Sequence, residues 1–124
     1  MMSDLSRERR IGTRYPLNLP VRVEWDDETV GRHVLVEGET QNVGPDSALV
    51  HLRQLPQVGS RVRLAVIEQK GPRFEALAEV LRLERDPAQP LAALRLLSSE
   101  KEWRTLIAKW MEQQRQRSAE EETD

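Results

Sequence analysis

RFEALAEVLRLER, residues 73–85, is the stretch on which the fold turns. Its alanines and leucines suit a helix. Yet Phe74, Ala76, Ala78 and Val80 recur with a period of two, and the segments on either side read as strands, so a strand is predicted here. Toward the N-terminus, Lys70-Gly71-Pro72 marks a turn. Before it, SRVRLAVIE (60–68) alternates Val62, Leu64 and Val66 with Arg61, Arg63 and Ala65, entered through Gln57-Val58-Gly59. SALVHL (47–52) and RHVLVEG (32–38, running on through Glu39 and Thr40) are two further strands. In LPVRVEW (19–25), Val21, Val23 and Trp25 share one face and Arg22 and Glu24 the other, and DDET then reads as a turn. Toward the C-terminus, DPAQP turns the chain into LAALRLL (91–97). Six short strands at near-regular spacing predict an all-β domain, a six-stranded antiparallel barrel.

The chain then changes period. In SSEKEWRTLIAKWMEQQRQR (98–117), Ser99 with Glu102 three residues on forms a capping box. Trp103, Leu106, Ile107, Trp110 and Met111 fall on one apolar stripe of a helix. Lys109, Arg115 and Arg117 suit the negative end of its dipole. Burial against the barrel, plugging an open end, accounts for the stripe. A partner-binding or dimerising face is the alternative. Two tryptophans on one stripe are costly to leave in water, at ~25 cal/mol per Å². The acidic residues 118–124 are expected to be a disordered tail.

A chain of 124 residues suits one domain with a real core. The absence of cysteine excludes a disulfide scaffold and any thiolate site. His33 and His51 lie far apart in strands and are expected to bind no metal. The acidic cluster Asp26, Asp27 and Glu28 is explained by turn chemistry, and no nucleophile–base–orienter set is visible, so no enzyme is expected. No cofactor is expected, and no Gly-rich phosphate loop is present. No apolar run approaches the roughly 18 residues of a membrane span, and no signal-peptide core opens the chain, so a cytoplasmic protein is expected. The net charge of -2 gives no overall preference for nucleic acid.

The distribution of charge says more. RERRIGTRYPLNLPVRV (7–23) crowds Arg7, Arg9, Arg10 and Arg14 into eight positions just before the first strand. Residues 1–16 read as a basic arm, 17–97 as the barrel. The stretch resembles the opening of a PilZ domain, an Arg-x-x-x-Arg pair leading through a proline into the first strand. Here the pair is Arg10 and Arg14, with Arg9 before it. TQNVGPDSALV (40–50) resembles the family's second motif, Asp/Asn-x-Ser-x-x-Gly, and the later strands follow in the family's order, over about residues 8–97. The resemblance implies a PilZ-type barrel that binds cyclic di-GMP and relays the signal to an effector protein. It also implies ligand contacts from Arg9, Arg10, Arg14, Asn42, Gly44 and Ser47. Guanidinium groups match phosphate oxygens and the O6/N7 edge of guanine, and the Asn42 amide could bond a guanine edge.

Two positions depart from the pattern. Gly44 stands where the family has Ser, and Ser47 where it has Gly. Loss of the hydroxyl at Gly44 is expected to cost about 1 kcal/mol. If position 47 needs φ > 0, Ser47 adds roughly 1–2 kcal/mol of strain. Together these amount to a factor of roughly 30 to 150 in affinity. A reshaped Gly44-Pro45 turn, or the Ser47 hydroxyl itself, could replace the lost contact. A degenerate domain acting only as an interaction module is therefore the alternative to a receptor. A third reading, a small barrel binding single-stranded nucleic acid through its arm, would want aromatic stacking platforms that this chain supplies thinly.

Overall fold

The computed structural model describes residues 14–68 and 71–122. Six strands close into an antiparallel barrel. They are β1 (Pro20–Asp27), β2 (Arg32–Gly44), β3 (Ser47–Leu52), β4 (Arg61–Glu68), β5 (Gly71–Glu84) and β6 (Leu91–Leu96), followed by helix α1 (Glu100–Glu122). Around the barrel the order is β1-β2-β3-β6-β5-β4, and β4 pairs back with β1. The segment over residues 73–85 is thus a strand, although its composition suits a helix. Phe74, Ala76, Ala78 and Val80 all point into the core, opposite the buried Val62, Leu64 and Val66 of β4. Tertiary burial of a period-two face overrides intrinsic propensity.

The core gathers the inward faces of all six strands, with Val21, Val23, Val50, Leu52, Leu64 and Leu94 almost fully buried. Gly38 on β2 marks a close approach. A Cβ there would lie 2.0 Å from the backbone oxygen of His51, so only glycine fits.

Several boundaries differ from the sequence expectation. Asp26 and Asp27 belong to β1, and the turn is Glu28–Gly31. Asp27 holds that turn by accepting the Thr29 amide at 3.0 Å, while Gly31 takes φ of +65°. Strand β2 runs past Thr40 to Gly44, through a bulge between Thr40 and Asn42, so the second motif lies on a β-hairpin.

Helix α1 begins at Glu100 and continues to Glu122. Residues 118–122 are therefore helical and not the disordered tail expected. Alanine and glutamate propagate a helix readily once it is anchored. As a result Lys109, Arg115 and Arg117 precede the last turn, which carries no basic residue, and the dipole argument made for them does not apply. Glu100 and Glu102 do complement the first turn. The Ser99 carbonyl accepts the Trp103 amide at 2.9 Å, with Ser99 at φ of +58° rather than in the extended backbone usual for a cap.

The apolar stripe of α1 packs on one end of the barrel. Trp103 and Ile107 join the core, and Leu106, Trp110 and Met111 pack half-buried against it. Trp103 is fully buried, with its ring 5.3 Å from that of Phe74 at the start of β5. Its indole N–H donates to the carbonyl of Gly44, at the end of β2, over 2.8 Å. One side chain thus touches two strands that are not neighbours in the sheet.

Candidate functional site

The lead-in segment before β1 is stitched to β2. Tyr15 exchanges two backbone hydrogen bonds with Val43, of 2.8 and 2.9 Å. Leu17 and Leu19 are fully buried, and between them the chain is held by Thr40. The buried Thr40 hydroxyl accepts the Leu19 amide at 2.8 Å and donates to the Leu17 carbonyl at 2.6 Å. The Asn18 amide adds a bond to the Thr40 carbonyl at 2.9 Å. A buried threonine satisfied in this way fixes the register of an otherwise irregular segment.

This anchoring delivers Arg14 to the β2–β3 hairpin. Its Nε donates to Asn42 Oδ1 at 2.9 Å, and one terminal nitrogen donates to the same oxygen. The other terminal nitrogen donates to the Ser47 hydroxyl. Of the predicted site residues, Arg14, Asn42, Gly44 and Ser47 therefore meet at one place. Arg9 and Arg10 lie outside the described residues.

Gly44 and Ser47 are direct cross-strand partners at the hairpin, with Pro45 and Asp46 forming its turn. A Cβ on Gly44 would fall 2.8 Å from the Ser47 hydroxyl and 2.9 Å from an Arg14 terminal nitrogen. The Ser47 hydroxyl lies in the space that a Gly44 side chain would enter. The strain expected at Ser47 is absent, because Ser99 alone among the described non-glycine residues has positive φ. The two positions, taken separately in the sequence, form one cross-strand pair.

Partial desolvation holds the Arg14 guanidinium below its ordinary pKa, the nearby charge of Arg82 pushes the same way, and Asp46 opposes both. Arginine remains charged regardless. The neighbourhood of Arg82 was not foreseen, because period two continued from Val80 would point that residue inward. A bulge at Leu81, between Val80 and Arg82, turns it out. Arg95 stands directly across from Ser47 and is paired with Glu79 at 2.7 Å. The candidate surface is an open face, not a cavity. A groove of about 900 Å³ lies elsewhere, between α1 and the barrel, lined by Pro20, Ile67, Phe74, Leu106 and Trp110 among others. Among the described residues no group of three His, Asp or Glu side chains could hold a metal ion, and no helix is long and apolar enough to cross a membrane.

No family model and no curated protein matches the chain. Solved structures do. The PilZ domain of YcgR from Escherichia coli with c-di-GMP superposes with a TM-score of 0.64 at 17% identity, covering 90% of this chain and 98% of that one. The fold is that of a PilZ domain. Longer PilZ-fold structures agree. YcgR from Escherichia coli in complex with c-di-GMP matches with a TM-score of 0.65 at 16% identity, covering 90% of this chain and 50% of that one. The inhibitor of motility MotI/DgrA of Bacillus subtilis matches with a TM-score of 0.64 at 21% identity, covering 87% and 52% respectively. This chain spans about half the length of those two proteins. Placed on the PilZ fold, Arg14, Asn42 and Ser47 lie together on the outer face of the barrel, and the Gly44 carbonyl ties that face to α1.

Proposed function

We propose that this chain is a cyclic di-GMP receptor and not an enzyme. In this reading the arginine arm and the β2–β3 hairpin together bind the nucleotide, and the bound state is relayed to an effector protein. The observation that carries it is the seating of Arg14 on Asn42 and Ser47. A guanidinium held at the hairpin by exposed hydrogen bonds is positioned for phosphate, and the Asn42 side-chain NH2, whose oxygen holds Arg14, could donate to a guanine edge. Arg9 and Arg10 would approach from the arm side. Two of the matched PilZ-fold structures hold c-di-GMP, which supports the choice of ligand. The transposed Gly44–Ser47 pair retains one hydroxyl against Arg14, which supports the receptor reading over that of a degenerate domain.

A route for the relay is also present. The Gly44 carbonyl accepts the Trp103 indole N–H, so a shift of the hairpin on binding would be felt at the base of α1. Calorimetric titration with cyclic di-GMP tests the reading. Low-micromolar or tighter binding, lost in Arg10→Ala and Arg14→Ala, is the expected result. Absence of heat up to a few hundred micromolar, from a folded protein, would overturn it and favour a module that acts through its helix alone.

A further inference from the structure

The arm and the hairpin account for one side of the candidate site and leave the far side of the same face unassigned. A single row of cross-strand partners spans that face over four strands. Asn42 pairs with Leu49, Leu49 with Ala93, and Ala93 with Arg82. A bulge stands at each end of the row, at Gln41 in β2 and at Leu81 in β5. In a regular strand Asn42 would share the inward face of Thr40, and Arg82 that of Val80, both buried. Each extra residue reverses the alternation, so Asn42 and Arg82 both emerge on the outside. Bulges are a recurrent means of re-aiming a side chain beside a functional site, and here two independent ones act on the two ends of one row.

Between these ends the floor is apolar and half-buried, formed by Leu49 and Ala93. At a strand spacing of about 4.8 Å, Asn42 and Arg82 stand about 14 Å apart at the two ends of that floor. The charge of Arg82 is felt at Arg14. Two like charges that feel each other on one face repel unless an anion lies between them. Arg82 is meanwhile held by Glu84 at 2.8 Å, in a pair whose side chains are 63% and 46% exposed. Ion pairs this exposed contribute little, and a phosphate could take the place of Glu84 at small cost.

We infer that Arg82 is a ligand-binding residue of this chain, forming the wall opposite Arg14 and holding phosphate oxygens of the cyclic dinucleotide while a guanine lies on Leu49 and Ala93. The inference rests on the receptor reading above. It adds a residue outside both sequence motifs and assigns a purpose to the two bulges.

Cyclic di-GMP is titrated into the wild-type chain and into Arg14→Ala, Arg82→Gln and Glu84→Gln, with thermal unfolding followed for each. The expected result is an affinity lower by about ten-fold or more in Arg82→Gln. Glu84→Gln, which releases Arg82, should bind as well as wild type or tighter. Wild-type binding that is lost in Arg14→Ala and unchanged in Arg82→Gln would overturn this inference and leave the receptor reading standing. Weakening in Glu84→Gln as large as in Arg82→Gln would also overturn it, by assigning the effect to the ion pair. No binding by the wild-type chain would overturn both.

Discussion

Gly44 and Ser47 face each other across one hairpin pair, and their identities matter jointly. Ser47 places its hydroxyl against Arg14, in the space where a Gly44 side chain would begin. Gly44→Ser alone should therefore crowd both groups and displace Arg14. Its ligand affinity is expected to fall about ten-fold, whereas Gly44→Ser combined with Ser47→Gly should recover to within about three-fold of wild type. Calorimetry on the two single variants and the double variant checks this, and additive losses would show that the positions are independent. Read one residue at a time, the sequence made this pair look like two defects. Cross-strand register is what joins them, and it is not visible in a string of letters unless the turn length is known. Arg14 and Asn42 were singled out by their types and order, and the structure brings them together. The outward position of Arg82 was not legible, since one bulged residue reverses the face that simple alternation assigns.

The elements were largely legible because each strand buries an alternating face, and Val21, Val23 and Trp25 in β1 or Val62, Leu64 and Val66 in β4 say so directly. The ends were less so. Asp26 and Asp27 look like turn residues, yet β1 extends through them because Asp26 pairs across with His33 on β2. That outer face of β1–β2 carries a small charge network. His33 bonds Asp26 through Nδ1 at 2.9 Å and Glu24 through Nε2 at 2.7 Å. These bonds raise the His33 pKa above its ordinary value of 6.5, Asp26 contributing first and Glu24 next. The sign follows from linkage. Because the folded-state value is raised, the network's contribution is fully present below pH 6.5 and disappears as pH rises through the folded-state pKa. Following the His33 ring resonances against pH should give a midpoint above that of an unstructured histidine. Asp26→Asn should move it back down. A midpoint indifferent to that substitution would mean that the bonds do not persist in solution.

At the scale of the whole molecule, one tryptophan joins barrel, hairpin and helix. Trp103 is fully buried, packs its ring at a tilt against Phe74 and donates to the Gly44 carbonyl. Trp103→Ala is expected to cost about 3–5 kcal/mol of stability, read from denaturant unfolding. Trp103→Phe keeps an aromatic ring in the core but trims its volume and leaves the Gly44 carbonyl without that donor, at about 1–3 kcal/mol. If the Gly44 link carries the relay, Trp103→Phe should leave cyclic di-GMP affinity nearly intact while blunting any ligand-dependent change in the exposure of α1, measurable by hydrogen exchange. Equal protection changes in both proteins would remove the link from the relay. The apolar stripe of the helix was legible from its spacing, but the destination of the indole N–H was not, because nothing in residues 100–122 points to a carbonyl on β2. The closure of the sheet has a further effect on how such a protein can be read by others. Every strand already has a neighbour on both sides, so among the described residues the barrel presents no row of idle amides to which a second chain could add itself as a strand. Whatever recognises this protein through the described residues must do so by protruding side chains or the helix surface, and the base of that helix is hydrogen-bonded to the hairpin of the candidate nucleotide site.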